Sequence, residues 1–182
     1  MTDRFLLISG CSGGGKSTLL AELARRGHAV VEEPGRRIIA AARASGEDVL
    51  PWTHPEAFLR RAIEMALADR AAAAALPCPV VFDRGLIDAA SGLQALTGAP
   101  VLRPLADAHP SHRRVFFTPP WPEIYVTDPD RPHGFDAAVA EHERLARDYA
   151  ALGYEIVVLP RAPVEARADI VADHIGVLYA VK

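Results

Sequence analysis

The chain has 182 residues, half of them hydrophobic, and a formal net charge of −3. That length suits a single domain burying about 70% of its unfolded surface without staples, and the lack of a basic excess excludes nucleic acid as the main partner. No apolar run reaches membrane-span length and no signal-peptide pattern opens the chain. Cys11 and Cys78 stand in unlike contexts, so the expectation is a cytoplasmic protein without disulfides.

In chain order, Phe5-Leu6-Leu7-Ile8 predicts a buried parallel strand. It runs into Gly10-Cys11-Ser12-Gly13-Gly14-Gly15-Lys16-Ser17, which fits G-x-x-x-x-G-K-[ST], the Walker A pattern. The only other lysine is Lys182, the last residue; arginine carries positive charge everywhere else. Leu19, Leu20, Leu23 and Ala24 then recur at helical spacing, with Gly27 as the stop. Strand, glycine loop and helix form the context the motif requires. Glycines let successive amides turn toward phosphate oxygens, and the helix N-terminus adds partial positive charge.

His28–Glu32 predicts a second strand, ending in Glu33-Pro34, and a helix follows over 35–43, closed by Ser45-Gly46. Thr53-His54-Pro55-Glu56 has the form of a capping box before a helix lasting to Leu76-Pro77. Pro79–Asp83 is a third strand, followed by a helix over 86–96 that ends by Gly98. Arg113–Thr118 is a fourth strand. Pro119, Pro120, Pro122, Pro129 and Pro132 crowd the next segment, which excludes regular helix. Phe135, Val139, His142, Leu145, Tyr149 and Leu152 stripe the next helix, stopped by Gly153. Tyr154–Leu159 is a fifth strand, and a last helix from about Pro163 points Ile170, Val171, Ile175 and Leu178 inward. Alternating strands and helices predict an α/β fold, a P-loop NTPase domain spanning 1–182.

In open α/β sheets ligands bind outside the carboxyl ends of the strands, which predicts that Glu32, Glu33, Asp83 and Arg84 surround the Walker loop. Motor-type ATPases end the third strand of this arrangement with two acids; here it ends Asp83-Arg84-Gly85. The chain resembles the NadR-like AAA-type P-loop ATPases and kinases, related to nicotinamide-riboside kinase. The resemblance rests on the Walker loop, Glu32-Glu33-Pro34, Phe82-Asp83-Arg84-Gly85 with Asp88 beyond it, and Thr127-Asp128-Pro129-Asp130-Arg131. It implies a nucleoside-kinase-like fold with strand order 2-3-1-4-5. It also implies an acid near the phosphate-accepting hydroxyl, for which Glu33 and Asp83 are rivals.

The expected ligands are ATP or GTP with Mg²⁺, and the expected partner is a small hydroxylated acceptor, nucleoside-like or vitamin-like. Ser12, Gly13, Gly14, Gly15, Lys16, Ser17 and Thr18 form the expected phosphate cradle. Lys16 reaches the β- and γ-phosphates, and Ser17 and Asp83 hold the metal. Arg131 is the candidate lid arginine and Arg161, after the fifth strand, the candidate base contact. Arg84 is open between gripping substrate and pairing with Asp88, and Trp121 between stacking on a ring and anchoring its loop. The histidines show no metal-ligand spacing. A nucleotide-dependent switch for a protein or lipid partner, and an ATPase serving a larger machine, stand as alternatives; oligomeric state is left open.

Overall fold

The computed structural model describes residues 4–127 and 134–180, the last three of these by backbone alone. Strands β1 (Phe5–Gly10), β2 (Ala29–Val31), β3 (Val80–Asp83), β4 (Arg114–Thr118) and β5 (Glu155–Val158) pair in parallel in the order β2-β3-β1-β4-β5. This is the expected order, and it puts β1, carrying the Walker loop, at the centre. Helices α1 (Lys16–Arg25), α2 (Pro34–Ser45), α3 (Pro55–Ala73), α4 (Leu86–Thr97), α5 (Leu102–Ala108), α6 (Phe135–Ala151) and α7 (Val164–Ala180) cover both faces.

Strand alternation sorts the core into two layers. Phe5, Leu7, Val80, Phe82, Val115 and Phe117 face one way and pack with Ile87 and Ala90 of α4 and Leu145 and Tyr149 of α6. Leu6, Ile8, Val81 and Phe116 face the other way, against Leu19, Leu20 and Leu23 of α1 and Ala168, Val171 and Ile175 of α7. Each fully buried Leu, Ile or Phe is worth roughly 1.5–3 kcal/mol of transfer free energy, so these layers hold the strand ends rigidly in register. A smaller cluster of Ile38, Ala62 and Ala89, with Phe58 against it, fixes α2 and α3 on α4.

Four local expectations need correction. The capping box does not form: His54 is the N-cap without a side-chain cap bond. Thr53 Oγ1 donates instead to Asp48 Oδ1 and Leu50 O, at 2.7 and 3.3 Å, while Glu56 pairs with Arg60. The helix it begins ends at Ala73 rather than Leu76. Ile170 is exposed, because Arg167, Val171 and Ile175 form the inward row of α7. Helix α5 was not foreseen. Leu178 lies outside the described side chains.

Candidate active site

The Walker loop turns sharply where β1 meets α1. Gly10 has φ 107°, and a Cβ there would lie 2.4 Å from Thr118 O on β4. Cys11 N donates to the same carbonyl at 2.9 Å. At Gly14 a Cβ would meet Thr118 Oγ1 at 2.7 Å. The glycines are there because β4 passes against the loop, leaving no room for side chains.

A cavity of about 480 Å³ opens over this loop, within the usual range for small-molecule clefts. Of the predicted cradle residues, Ser12, Gly13, Gly15, Lys16, Ser17 and Thr18 line it; Gly14 is turned against Thr118. Its far wall comes from Trp121 and Ile124 after β4 and from Ala162, Pro163, Val164 and Arg167 after β5. Lys16 is buried and donates through Nζ to Cys11 O at 2.7 Å. Burial, and then the nearby Arg84 charge, push its pKa below the ordinary lysine value.

Ser17 Oγ donates to Asp83 Oδ2 at 3.2 Å, while Asp83 Oδ1 is buried with no hydrogen-bond partner. Burial, followed by the Glu33 charge, pushes the Asp83 carboxyl up to about 6. Glu33 is the N-cap of α2 and lines the cavity; Glu32 is exposed and lines a neighbouring cavity with Ser17, Glu33 and Asp83.

Arg84 has φ 58°, a left-handed conformation rare for arginine, which turns its side chain back beneath the loop. There it meets the chain's own acceptors. Nη1 and Nη2 donate to the two Glu141 oxygens at 3.0 and 2.9 Å, and Nη2 also to Gly10 O at 3.2 Å. Asp88 Oδ1 lies 3.4 Å from Nη1 and Glu33 Oε1 3.6 Å from Nε. Burial opposes the guanidinium charge, but Glu141, Glu33 and Asp88 outweigh it and hold its pKa well above the ordinary value. Asp88 is itself held: Ser9 Oγ donates to it at 2.5 Å and the Tyr149 hydroxyl at 2.8 Å. The Asp88 pairing, one of the two alternatives for Arg84, is therefore present, and Glu141 of α6 is the nearer partner.

A second, smaller cavity of about 90 Å³ adjoins this group, lined by Glu33, Gly35, Arg84, Asp88 and Glu141 and by Phe58, Leu59 and Ala62. Glu33 and Arg84 line both cavities.

Sequence reasoning missed Glu141 and Arg167. Arg167 reaches from α7 to donate to Gly14 O and Gly15 O, each at 3.3 Å, and lies over the Trp121 ring at 5.5 Å. Trp121 is thus both on the cavity wall and packed in place. Arg161 is exposed and not among the residues lining that cavity, whereas Arg167 is. Arg131 and its neighbours from Asp128 lie outside the described residues. One signal was available for both omissions: each is a charged residue on the apolar stripe of its helix, Arg167 in step with Val171 and Ile175, Glu141 with Ala138 and Leu145.

Among the described residues, no helix is long and apolar enough to cross a membrane, and no group of three or more His, Cys, Asp or Glu is placed to hold a metal. Cys11 is buried and Cys78 exposed.

No curated protein matches the chain in sequence. Solved structures match its fold. The NadR protein in complex with NR superimposes with a TM-score of 0.70 at 20% identity, covering 99% of this chain and 52% of that one. The chain therefore spans about half the length of the NadR structure it matches. Shikimate kinase from Acinetobacter baumannii in complex with shikimate gives 0.60 at 15% identity, covering 100% and 96%. Deoxyadenosine kinase from M. mycoides with bound products gives 0.51 at 14% identity, covering 96% and 100%. These likenesses establish a P-loop NTPase fold of the kind found in small-molecule kinases. A family model described as an AAA domain matches residues 5–167, and the chain accordingly belongs to that AAA-domain family.

Proposed function

We propose that this protein transfers the γ-phosphoryl group of ATP to a hydroxyl of a small metabolite. The observation that carries the reading is the meeting of two cavities at Glu33 and Arg84. The larger lies over the Walker loop and suits a nucleoside triphosphate; the smaller suits an acceptor.

In this reading the acceptor oxygen forms a bond to the γ-phosphorus as the bond to the bridging oxygen of ADP breaks. The charge that spreads over the moving group is met by the Lys16 ammonium and the loop amides, so the protein's work is positioning and charge stabilisation. Lys16 leaves its bond to Cys11 O to reach the phosphates. The acceptor proton goes to a carboxylate. Glu33 is favoured over Asp83, because among the described residues it is the acid that lines both cavities, whereas Asp83 lines neither. Arg131 keeps its proposed role as a lid arginine on sequence grounds alone.

The donor set also fits magnesium. Ser17 Oγ and the unpartnered Asp83 Oδ1 supply hard oxygens beside the loop, and Mg²⁺ is ordinarily held by one or two carboxylates together with substrate phosphates rather than by an all-protein cage. When bound, the ion neutralises charge on the β- and γ-phosphates.

The experiment is an acceptor screen of nucleosides, vitamins and sugars with Mg²⁺ and ATP. One acceptor accelerates ADP release and gains a phosphate by mass spectrometry. Water as the sole acceptor across the screen contradicts the reading.

A further inference from the structure

We infer that Glu141 closes Arg84 to anions, and that the acceptor is accordingly a neutral or cationic hydroxylated molecule rather than a carboxylate or phosphate. The inference rests on the kinase reading and deepens it by assigning the charge class of the acceptor.

An arginine in a substrate pocket ordinarily points to an anionic ligand, because its planar fork matches carboxylate and phosphate oxygens. Arg84 is the only cationic side chain lining the smaller cavity among the described residues. It has five N–H donors. Four have acceptors within hydrogen-bond distance: both Glu141 oxygens, Asp88 Oδ1 and Gly10 O, at 2.9 to 3.4 Å. The fifth, on Nε, faces Glu33 Oε1 at 3.6 Å. The guanidinium is committed to the protein, and its side chain is only 9% exposed.

The remaining charge is negative. Glu33 and Glu141 are 25% and 32% exposed at their side chains and line the cavity with Asp88. Asp88 is held by Ser9 and Tyr149, so the oxygens left open to a ligand are those of Glu33 and Glu141. Arg36 lies 3.7 Å from Glu33 but lines the triphosphate cavity, not this one. An acceptor carboxylate entering here would meet like charges directly and find four of the five Arg84 donors already taken, an arrangement that rejects wrong partners by repulsion. Acceptor hydroxyls and ammonium groups, by contrast, find acceptor oxygens on Glu33 and Glu141, with Phe58 and Leu59 as an apolar wall. The cavity of about 90 Å³ is well under the roughly 300–1,000 Å³ of a drug-sized site, which fits one small hydroxyl-bearing moiety.

The test is a charge-matched panel: small hydroxy acids, each presented beside its neutral amide and a hydroxylated amine of similar size, with acceptor-stimulated ADP release as the readout. In the parent the neutral or cationic members should exceed their carboxylates in kcat/KM by at least roughly tenfold. Glu141→Gln frees one edge of Arg84 and should cut that preference by about tenfold, while Glu141→Asp, which keeps the charge, should retain it. Should Glu141→Gln fail to fold, the parent's own preference still decides. Preferred phosphorylation of the carboxylates by the parent overturns the inference and leaves the kinase reading standing. If no panel member and no acceptor of the wider screen accelerates ADP release, both fall; a carboxylate or phosphate acceptor emerging from that screen overturns the inference alone.

Discussion

Ser17 Oγ donates to Asp83 Oδ2 at 3.2 Å, tying the start of α1 to the end of β3 and leaving Asp83 Oδ1 buried without a partner. A carboxylate held this way is costly to ionise in the protein alone. Its pKa is pushed up to about 6 from the ordinary 3.8, first by burial and then by Glu33. The folded state therefore binds this proton more tightly than the unfolded chain does. The stability the group contributes is fully present below the unfolded value and is lost as pH rises through about 6. Asp83→Asn, compared with the parent by thermal melts without metal or nucleotide, should gain in relative Tm between pH 4 and 7. A constant difference across that range would contradict the assignment. With Mg²⁺ and ATP the same variant should lose turnover by at least roughly a hundredfold.

Glu33→Gln tests the choice of base. It keeps the size of the side chain at the junction of the two cavities and removes its proton affinity. Acceptor-stimulated kcat should fall by about 10²–10⁴, with little change in ATP affinity by calorimetry. An unaltered kcat would transfer the role to Asp83.

Arg167→Ala removes the donors to Gly14 O and Gly15 O and the cation over Trp121. ATP affinity by calorimetry should weaken by about tenfold, the loss expected from a modest hydrogen bond together with a cation–π contact. Arg161→Ala should have a much smaller effect, because Arg161 is exposed and off the cavity wall. Equal losses would restore Arg161 to the base-contact role.

The loop glycines answer to different obstacles. A methyl at Gly10 meets the Thr118 backbone, which cannot withdraw; a methyl at Gly14 meets chiefly the Thr118 side chain. Both substitutions should cost about 1–3 kcal/mol by denaturant titration. Adding Thr118→Ala should recover part of the loss at Gly14 and none at Gly10. Equal recovery at both positions would refute the difference.

Asp88→Ala leaves Arg84 without one buried carboxylate partner and strands the donors of Ser9 and Tyr149. The expected loss is about 3–5 kcal/mol of stability, far more than for a surface acid. A loss under about 1 kcal/mol would mean that Glu141 alone suffices for Arg84.

The layered fold was legible because its strands are apolar runs and its helices striped. Helix α5 was not: Leu102–Ala108 is a single short element with Pro104 inside it and Pro100 and Pro110 on either side, so local chemistry reads as a breaker. Within the site, the residues of contiguous motifs came to hand: Lys16, Ser17, Glu33, Asp83 and Arg84 all converge as their positions at strand ends dictate. Glu141 and Arg167 lie in distant helices and are brought in only by packing of α6 and α7 on the sheet. Their one local sign, a charge on a buried stripe, does not say which partner it meets.

The most direct measurement is a calorimetric titration of the folded protein with Mg²⁺ and ATP, repeated on Lys16→Ala. Saturable single-site heat is predicted for the parent. The variant should lose affinity by at least roughly a hundredfold while keeping its melting temperature, since the ammonium's work is at the phosphates rather than in the core. No heat with either ATP or GTP, or equal affinity in the two proteins, would contradict the phosphate-cradle assignment on which the kinase reading stands.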